Sequence, residues 1–239
     1  MKRLFNVILS ALFPNTCVAC GEIIHENEFL CEYCAEMAET VDFTKCCTRC
    51  GMPKKQCRCS KRVFHFNGCA APFYNTGVMQ KAMYRFKFGK KEYIKKFFAE
   101  RMALTVKTAY SDISFDIVTF VPTTFKRKSK RGFNQSELLA NEISKILKLP
   151  ILSDLIRCKK SAKIQHTLNF DERFKNVKGR YECNRNYKLN GKTVLLVDDI
   201  KTTGATLDEC AKQLLLLGAD RVYCVTGLMT AKNKKKEKK

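Results

Sequence analysis

The spacing of apolar and polar positions changes character along this 239-residue chain. Residues 1–13 (MKRLFNVILSALF) carry two basic residues and then an apolar run, which reads as an amphipathic helix stopped by Pro14. That run is far short of the ~20 residues a membrane-spanning helix needs. No small-x-small cleavage site precedes Cys17, so neither a leader peptide nor a transmembrane segment is expected. The next stretch, up to about residue 60, shows little periodicity and is punctuated by Gly21, Gly51 and Pro53.

Regular patterns begin further on. The segment 78–104 is rich in aromatic and basic residues and is expected to be helical in part. Residues 115–121 (FDIVTFV) predict a buried strand bounded by Pro122. A polar, basic loop follows at 126–135 (KRKSKRGFNQ). Residues 136–149 then place Leu139, Ile143, Ile146 and Leu147 on one helical face, with Ser136 and Pro150 as boundaries. A second strand is predicted over 193–197 (TVLLV), and a helix over 207–217 with Leu207, Cys210, Ala211, Leu214 and Leu215 inward. Gly218 stands where a left-handed helix end is wanted, and 221–225 (RVYCV) predicts a third strand. Strand and helix alternate, so the expected fold is α/β, a parallel sheet covered on both faces.

Charge changes the picture. Lys and Arg total 45 against 23 acids, a formal net charge of +22. A polyanion is the natural partner: nucleic acid, a phosphorylated metabolite or an anionic surface. The plain alternative is a lysine-rich, merely solvated surface. The last residues, 232–239 (KNKKKEKK), read as a disordered basic tail.

Fourteen cysteines change it again, because nine fall within the first sixty residues, mostly as CxxC pairs. A secreted disulfide scaffold would be small and loop-rich, without an α/β domain attached. Thiolates binding zinc in a reducing, cytoplasmic setting fit better. Cys17-x2-Cys20 and Cys31-x2-Cys34 lie ten residues apart, a compact spacing for one tetrahedral site. Cys47-x2-Cys50 and Cys57-x-Cys59 suggest a second, although its last pair is CxC and Cys46 offers an alternative ligand. Each structural zinc would supply about 10–16 kcal/mol of apparent binding free energy to a segment without a core of its own. Cys69, Cys158, Cys183, Cys210 and Cys224 are scattered and suit small core positions. The expected domains are therefore 1–62, an opening helix and double zinc ribbon, then 63–231, the α/β domain, then the tail.

The segment 194–206 (VLLVDDIKTTGAT) carries the most chemistry. Two acids end an apolar strand, a Thr- and Gly-rich loop follows, and a helix begins. Ligands bind at that edge of open α/β sheets, and exposed N–H groups at a loop-to-helix junction attract anions. Gly204 lets the backbone approach a phosphate, while Thr202, Thr203 and Thr206 add hydroxyls. Asp198 and Asp199 need partners at a strand end; sugar hydroxyls and Mg²⁺ would serve.

This stretch resembles the phosphoribosyl-pyrophosphate (PRPP) binding motif of type I phosphoribosyltransferases. The resemblance implies that Asp198 and Asp199 hold the ribose hydroxyls and that Lys201, Thr202, Thr203, Gly204, Ala205 and Thr206 cradle the 5′-phosphate. Thr123 and Thr124 stand where such enzymes keep a pyrophosphate loop. Arg127, Lys130 and Arg131 follow in the basic loop, where closure over pyrophosphate would stabilise its charge. RGFNQ at 131–135, Leu12-Phe13-Pro14 before the first cysteines, and Gln165 to Tyr181 leading into VKGRYE are similar to the ComF family of competence-associated proteins. That resemblance implies a double zinc ribbon joined to a phosphoribosyltransferase fold, bound Zn²⁺, PRPP with Mg²⁺, and the handling of single-stranded DNA with DNA-uptake machinery. Lys201 departs from the apolar or small residue many members have there. Phe86, Phe88 and Tyr93 are available for base stacking, with burial in the core as the alternative. A nucleobase-salvage phosphoribosyltransferase and a non-catalytic PRPP-sensing module are the competing functions.

Overall fold

The computed structural model describes residues 14–89, 92–124, 129, 132–159 and 170–231. The expected opening helix, half of the basic loop (126–128, 130 and 131), residues 160–169 and the lysine tail lie outside them. Short helix α1 (Glu32–Glu36) belongs to the cysteine-rich segment; strands β1 (Gly68–Ala70) and β2 (Phe73–Tyr74) follow it. Helices α2 (Gly77–Phe88) and α3 (Glu92–Ala109) occupy the aromatic, basic stretch, and β3 spans Ile117–Phe120. Then come α4 (Gln135–Leu147), β4 (Ile156–Cys158), α5 (Phe170–Val177), β5 (Tyr181–Cys183), β6 (Thr193–Lys201), α6 (Ala205–Leu216) and β7 (Arg221–Met229).

The main sheet runs β1–β7–β6–β3, with β2 also pairing to β7, and all of these pairings are parallel. Both faces are covered, as the continuous apolar runs require. Alternation along β6 shows the division. Leu195 and Val197 pack with Met79, Phe97, Phe98, Leu139 and Ile143 from α2, α3 and α4. Val194 and Leu196 pack with Leu207, Cys210, Ala211 and Leu214 from α6. The antiparallel pair β4–β5 adds Ile156 and Tyr181 to that second layer.

Several boundaries move. Helix α4 begins earlier than expected because Asn134, not Ser136, caps it: the Asn134 side chain accepts the Ser136 N–H at 3.2 Å. Its face is also narrower, since Leu139 and Ile143 are buried and Ile146 is exposed. Strands β6 and β7 continue beyond the apolar runs that announced them, pairing as far as Lys201 with Met229. Gly218 does take a positive φ, 99°. No helix among the described residues is long and apolar enough to cross a membrane.

The two cysteine sets dock on opposite layers. Cys17, Val18, Ala19 and Cys34 are buried with the α2–α3 side, where Arg85 Nη1 donates to the Cys17 carbonyl at 2.7 Å. Cys50, Phe64 and Phe66 join the α6 side.

Candidate functional site

Zinc chemistry can be tested on sulfur geometry. A tetrahedron with Zn–S bonds of about 2.3 Å has S···S edges of about 3.8 Å. Cys17, Cys20, Cys31 and Cys34 bring their sulfurs within 4.8 Å of one another, as do Cys47, Cys50, Cys57 and Cys59. Individual edges are 3.7 Å for Cys20–Cys31, 3.9 Å for Cys47–Cys59 and 3.7 Å for Cys50–Cys57. Both sets fit a tetrahedral zinc of the structural kind. Cys46 lies outside the second set, buried, with its sulfur 3.9 Å from the Tyr74 hydroxyl.

Backbone donors favour the thiolate at one cysteine of each set, Cys17 and Cys47, while burial and the neighbouring sulfurs push Cys34 and Cys59 up. Burial opposes ionisation of Cys17, yet N–H donors from Cys20, Cys31 and Ala19 outweigh it and lower the thiol to about 6. Cys47 is lowered to about 7 in the same way, burial opposing and the Cys50 N–H leading the groups that favour the thiolate.

The second centre of chemistry is the carboxyl edge of the sheet. Parallel pairing brings the ends of β3 and β6 to the same side, so Thr123 and Asp198 face one edge. Asp198 Oδ1 accepts the Ser136 hydroxyl at 2.8 Å and the Asp199 N–H at 2.9 Å. Burial, reinforced by the neighbouring Asp199 charge, lifts the Asp198 carboxyl to about 7 despite those donors. Asp199 points elsewhere, with Oδ2 2.6 Å from Lys87 Nζ. The Asn134 amide donates to the Val121 carbonyl at 3.2 Å, tying the α4 cap to the end of β3.

The loop after β6 turns on Gly204, whose φ of 85° opens α6. A Cβ there would come within 3.3 Å of Lys201 Cε and 3.5 Å of the Phe64 ring, so the turn is also tight. Thr203 Oγ1 accepts the Ala205 N–H at 3.3 Å, and Arg173 Nη1 donates to Thr202 Oγ1 at 3.1 Å. Lys201 is nearly buried. One helical turn on, the buried Asp208 carboxylate accepts the His65 N–H at 2.6 Å, and its other oxygen lies 3.7 Å from Arg62 Nη2. The chain leaving the second cysteine set is thereby pinned to the first turn of α6.

The structure thus gathers Asp198, Asp199 and the loop from Lys201 to Thr206 on one edge, with Thr123 half-buried beside it. Arg127, Lys130 and Arg131 lie outside the described residues. Lys87, Ser136 and Arg173 are not expected at this edge from the sequence, where Ser136 reads as a helix boundary and Arg173 only as part of the family-like stretch 165–181. Lys87 had no distinguishing signal in a lysine-rich stretch. Ser136 directly follows RGFNQ, and that position was the available clue. Of the proposed stacking aromatics, Phe86 is buried and the Tyr93 hydroxyl is 2.7 Å from Thr16 Oγ1. Phe88 is half exposed and pairs with the exposed Tyr84, ring centroids 4.7 Å apart.

Comparison with known proteins agrees with this division. Residues 8–64 match the double zinc ribbon domain, and residues 120–239 match the phosphoribosyl transferase domain. Competence protein F of Haemophilus influenzae is 26% identical over 230 residues, covering 92% of this chain and 98% of its own. The DNA utilization protein YhgH of Escherichia coli K12 is 26% identical over 206 residues, 82% of this chain and 89% of its own. Competence protein ComFC of Bacillus subtilis is 32% identical over 147 residues, 59% of this chain and 55% of its own. The chain belongs to the phosphoribosyl transferase domain family, as a ComF-type member with a double zinc ribbon ahead of that domain.

Proposed function

We propose that the protein binds PRPP at the carboxyl edge of the sheet and acts as a phosphoribosyltransferase in the cytoplasmic handling of single-stranded DNA. The observation that carries the PRPP reading is the convergence of Asp198, Asp199 and the Lys201–Thr206 loop on that edge. In this reading Asp198 and Asp199 accept the ribose hydroxyls, and the N–H groups of the loop with the Thr202, Thr203 and Thr206 hydroxyls hold the 5′-phosphate. Lys87 neutralises Asp199 before the ligand arrives and lies ready to meet pyrophosphate oxygens when the diol takes its place. Thr123, with Arg127, Lys130 and Arg131 of the basic loop, takes the pyrophosphate end, where negative charge grows as the C1′–O bond breaks. Mg²⁺ arriving with PRPP would offset part of that charge. The DNA half of the reading rests on the net charge of +22 and on the relatives named for competence and DNA utilization.

Calorimetric titration of PRPP and Mg²⁺ into the zinc-loaded protein tests it. Saturable binding is expected for the wild type and its loss in Asp198→Asn/Asp199→Asn. Equal binding by the double variant would remove the site from this edge.

A further inference from the structure

A cleft of about 1010 Å³ separates the second zinc ribbon from the phosphate loop. Cys57, Arg58 and Lys61 stand on one wall; Arg173, Lys201 and Thr202 stand on the other. Among the described residues six basic side chains line it (Lys55, Arg58, Lys61, Arg62, Arg173 and Lys201) against one acid, Asp171, with Arg62 also paired to Asp208. The volume lies at the upper limit for small-molecule pockets, roughly 300–1,000 Å³, and the charge along its walls exceeds what a single phosphate needs.

We infer that this cleft is the single-stranded nucleic acid channel, and that the second ribbon, not the first, contacts the strand. The inference rests on the nucleic-acid reading above and specifies its surface. Sequence charge separates the ribbons sharply: residues 14–41 hold six Glu and no Lys or Arg, whereas residues 42–62 hold seven Lys and Arg and one Asp. A strand's phosphates would be repelled by the first and attracted by the second.

Geometry adds to charge. The Arg58 guanidinium carbon sits 4.5 Å from the centre of the Phe170 ring, and that of Arg62 sits 3.4 Å from the centre of Phe174. Each guanidinium is thus backed on one face by a ring, a contact that favours the position seen and lowers the side-chain entropy lost on binding, and Arg62 is also paired with Asp208. Planar guanidiniums also accept stacked bases, which a single strand exposes and a duplex does not. The clamp of Asp208 on His65 and Arg62 fixes the ribbon's exit to α6, so the basic wall keeps its position relative to the phosphate loop. Because Thr202 and Thr203 line the same cleft, a strand lying there passes directly beside the proposed 5′-phosphate site.

The test is fluorescence anisotropy with labelled single-stranded oligo-dT across a salt series, using the full zinc-loaded chain. Arg58→Ala/Lys61→Ala is compared with Lys107→Ala/Lys148→Ala, two exposed lysines away from the cleft, with zinc content and melting temperature confirming that each is folded. The cleft variant is expected to bind roughly tenfold more weakly, and its log Kd against log salt slope to flatten by about 1.4, two lost phosphate contacts at about 0.7 each. The control pair should stay close to wild type. Cleft and control variants that bind equally well overturn the placement while leaving the nucleic-acid reading intact. A wild type that ignores oligo-dT at low salt overturns both, and the PRPP titration still reports separately on the other half of the proposed function.

Discussion

The two zinc ribbons use the same ligands for different ends. The first is acidic, and its buried residues sit inside the layer formed by α2, α3 and α4, held by Arg85 on the Cys17 carbonyl. The second is basic, is clamped to α6 through Asp208, and has one side open as the wall of a cleft. Four thiolates and a zinc give a short segment rigidity without a core. What surrounds them decides whether that rigidity completes a hydrophobic layer or presents charge to a ligand.

Removing a ligand from each ribbon is the strongest way to break this comparison. Zinc binding of about 10–16 kcal/mol matches or exceeds the 5–15 kcal/mol that holds a typical domain together. Cys34→Ser should therefore unfold the first ribbon and strip Cys17, Val18 and Ala19 from the main core, giving insoluble protein or a melting temperature lower by well over 10 °C. Cys59→Ser should lower the melting temperature by less, because Cys50 alone of that set is fully buried, while releasing one zinc and weakening oligo-dT binding. Calorimetry and metal analysis would read both; equal losses in the two variants would end the division of labour.

A finer comparison uses the glycine that follows each CxxC. Gly21 and Gly51 both have positive φ, 92° and 70°, so alanine strains either backbone. Their surroundings differ. A Cβ on Gly51 would lie 2.2 Å from the Cys69 carbonyl oxygen and 2.5 Å from Met229 Cε, and the carbonyl belongs to β1 and cannot yield. The nearest atoms to a Cβ on Gly21 would be those of the Arg85 guanidinium, at 3.1 Å, the far end of a long side chain that can shift at the expense of its bond to the Cys17 carbonyl. Gly51→Ala should cost about 3 kcal/mol and Gly21→Ala about 1 kcal/mol, or about 6–12 °C against about 2–4 °C in melting temperature. Similar shifts would mean that the second ribbon is not seated against β1 as tightly as the geometry states.

Much of this was readable in the chain. The runs ending at Val121 and Val197, and the run 221–225, announced β3, β6 and β7, because strands buried on both faces must be continuously apolar. VDDIKTTGAT announced a strand end, a tight turn at Gly204 and a helix start, and cysteine spacing announced both zinc sets. What escaped depends on tertiary proximity. Strands β1 and β2 have two or three residues each, too few to show a period, and exist because β7 offers them an edge. Lys87 meets Asp199 across more than a hundred residues, with no local pattern to mark it. The extension of β6 through Asp198 and Asp199 goes against strand propensity, and pairing to β7 overrides it.

If the second ribbon and the phosphate edge form one working unit, groups there should cost stability where those of the first ribbon supply it. Asp198 is the clearest instance. Its carboxyl is raised from 3.8 to about 7, by burial first and the Asp199 charge second. Between those values the folded protein holds a proton that the unfolded chain has released. Raising the pH through that window therefore lowers stability, and above about 7 the full cost of a desolvated, half-buried carboxylate remains. Asparagine has no proton to lose, and its side-chain oxygen can still accept from the Ser136 hydroxyl and the residue-199 N–H. Asp198→Asn should melt close to wild type near pH 4, gain steadily on it as the pH rises, and melt higher by about 2–4 °C at pH 8. The same variant should lose PRPP binding at pH 8. A stability difference that is flat with pH would show that Asp198 is ionised throughout, and that the Ser136 hydroxyl and Lys87 already repay its burial.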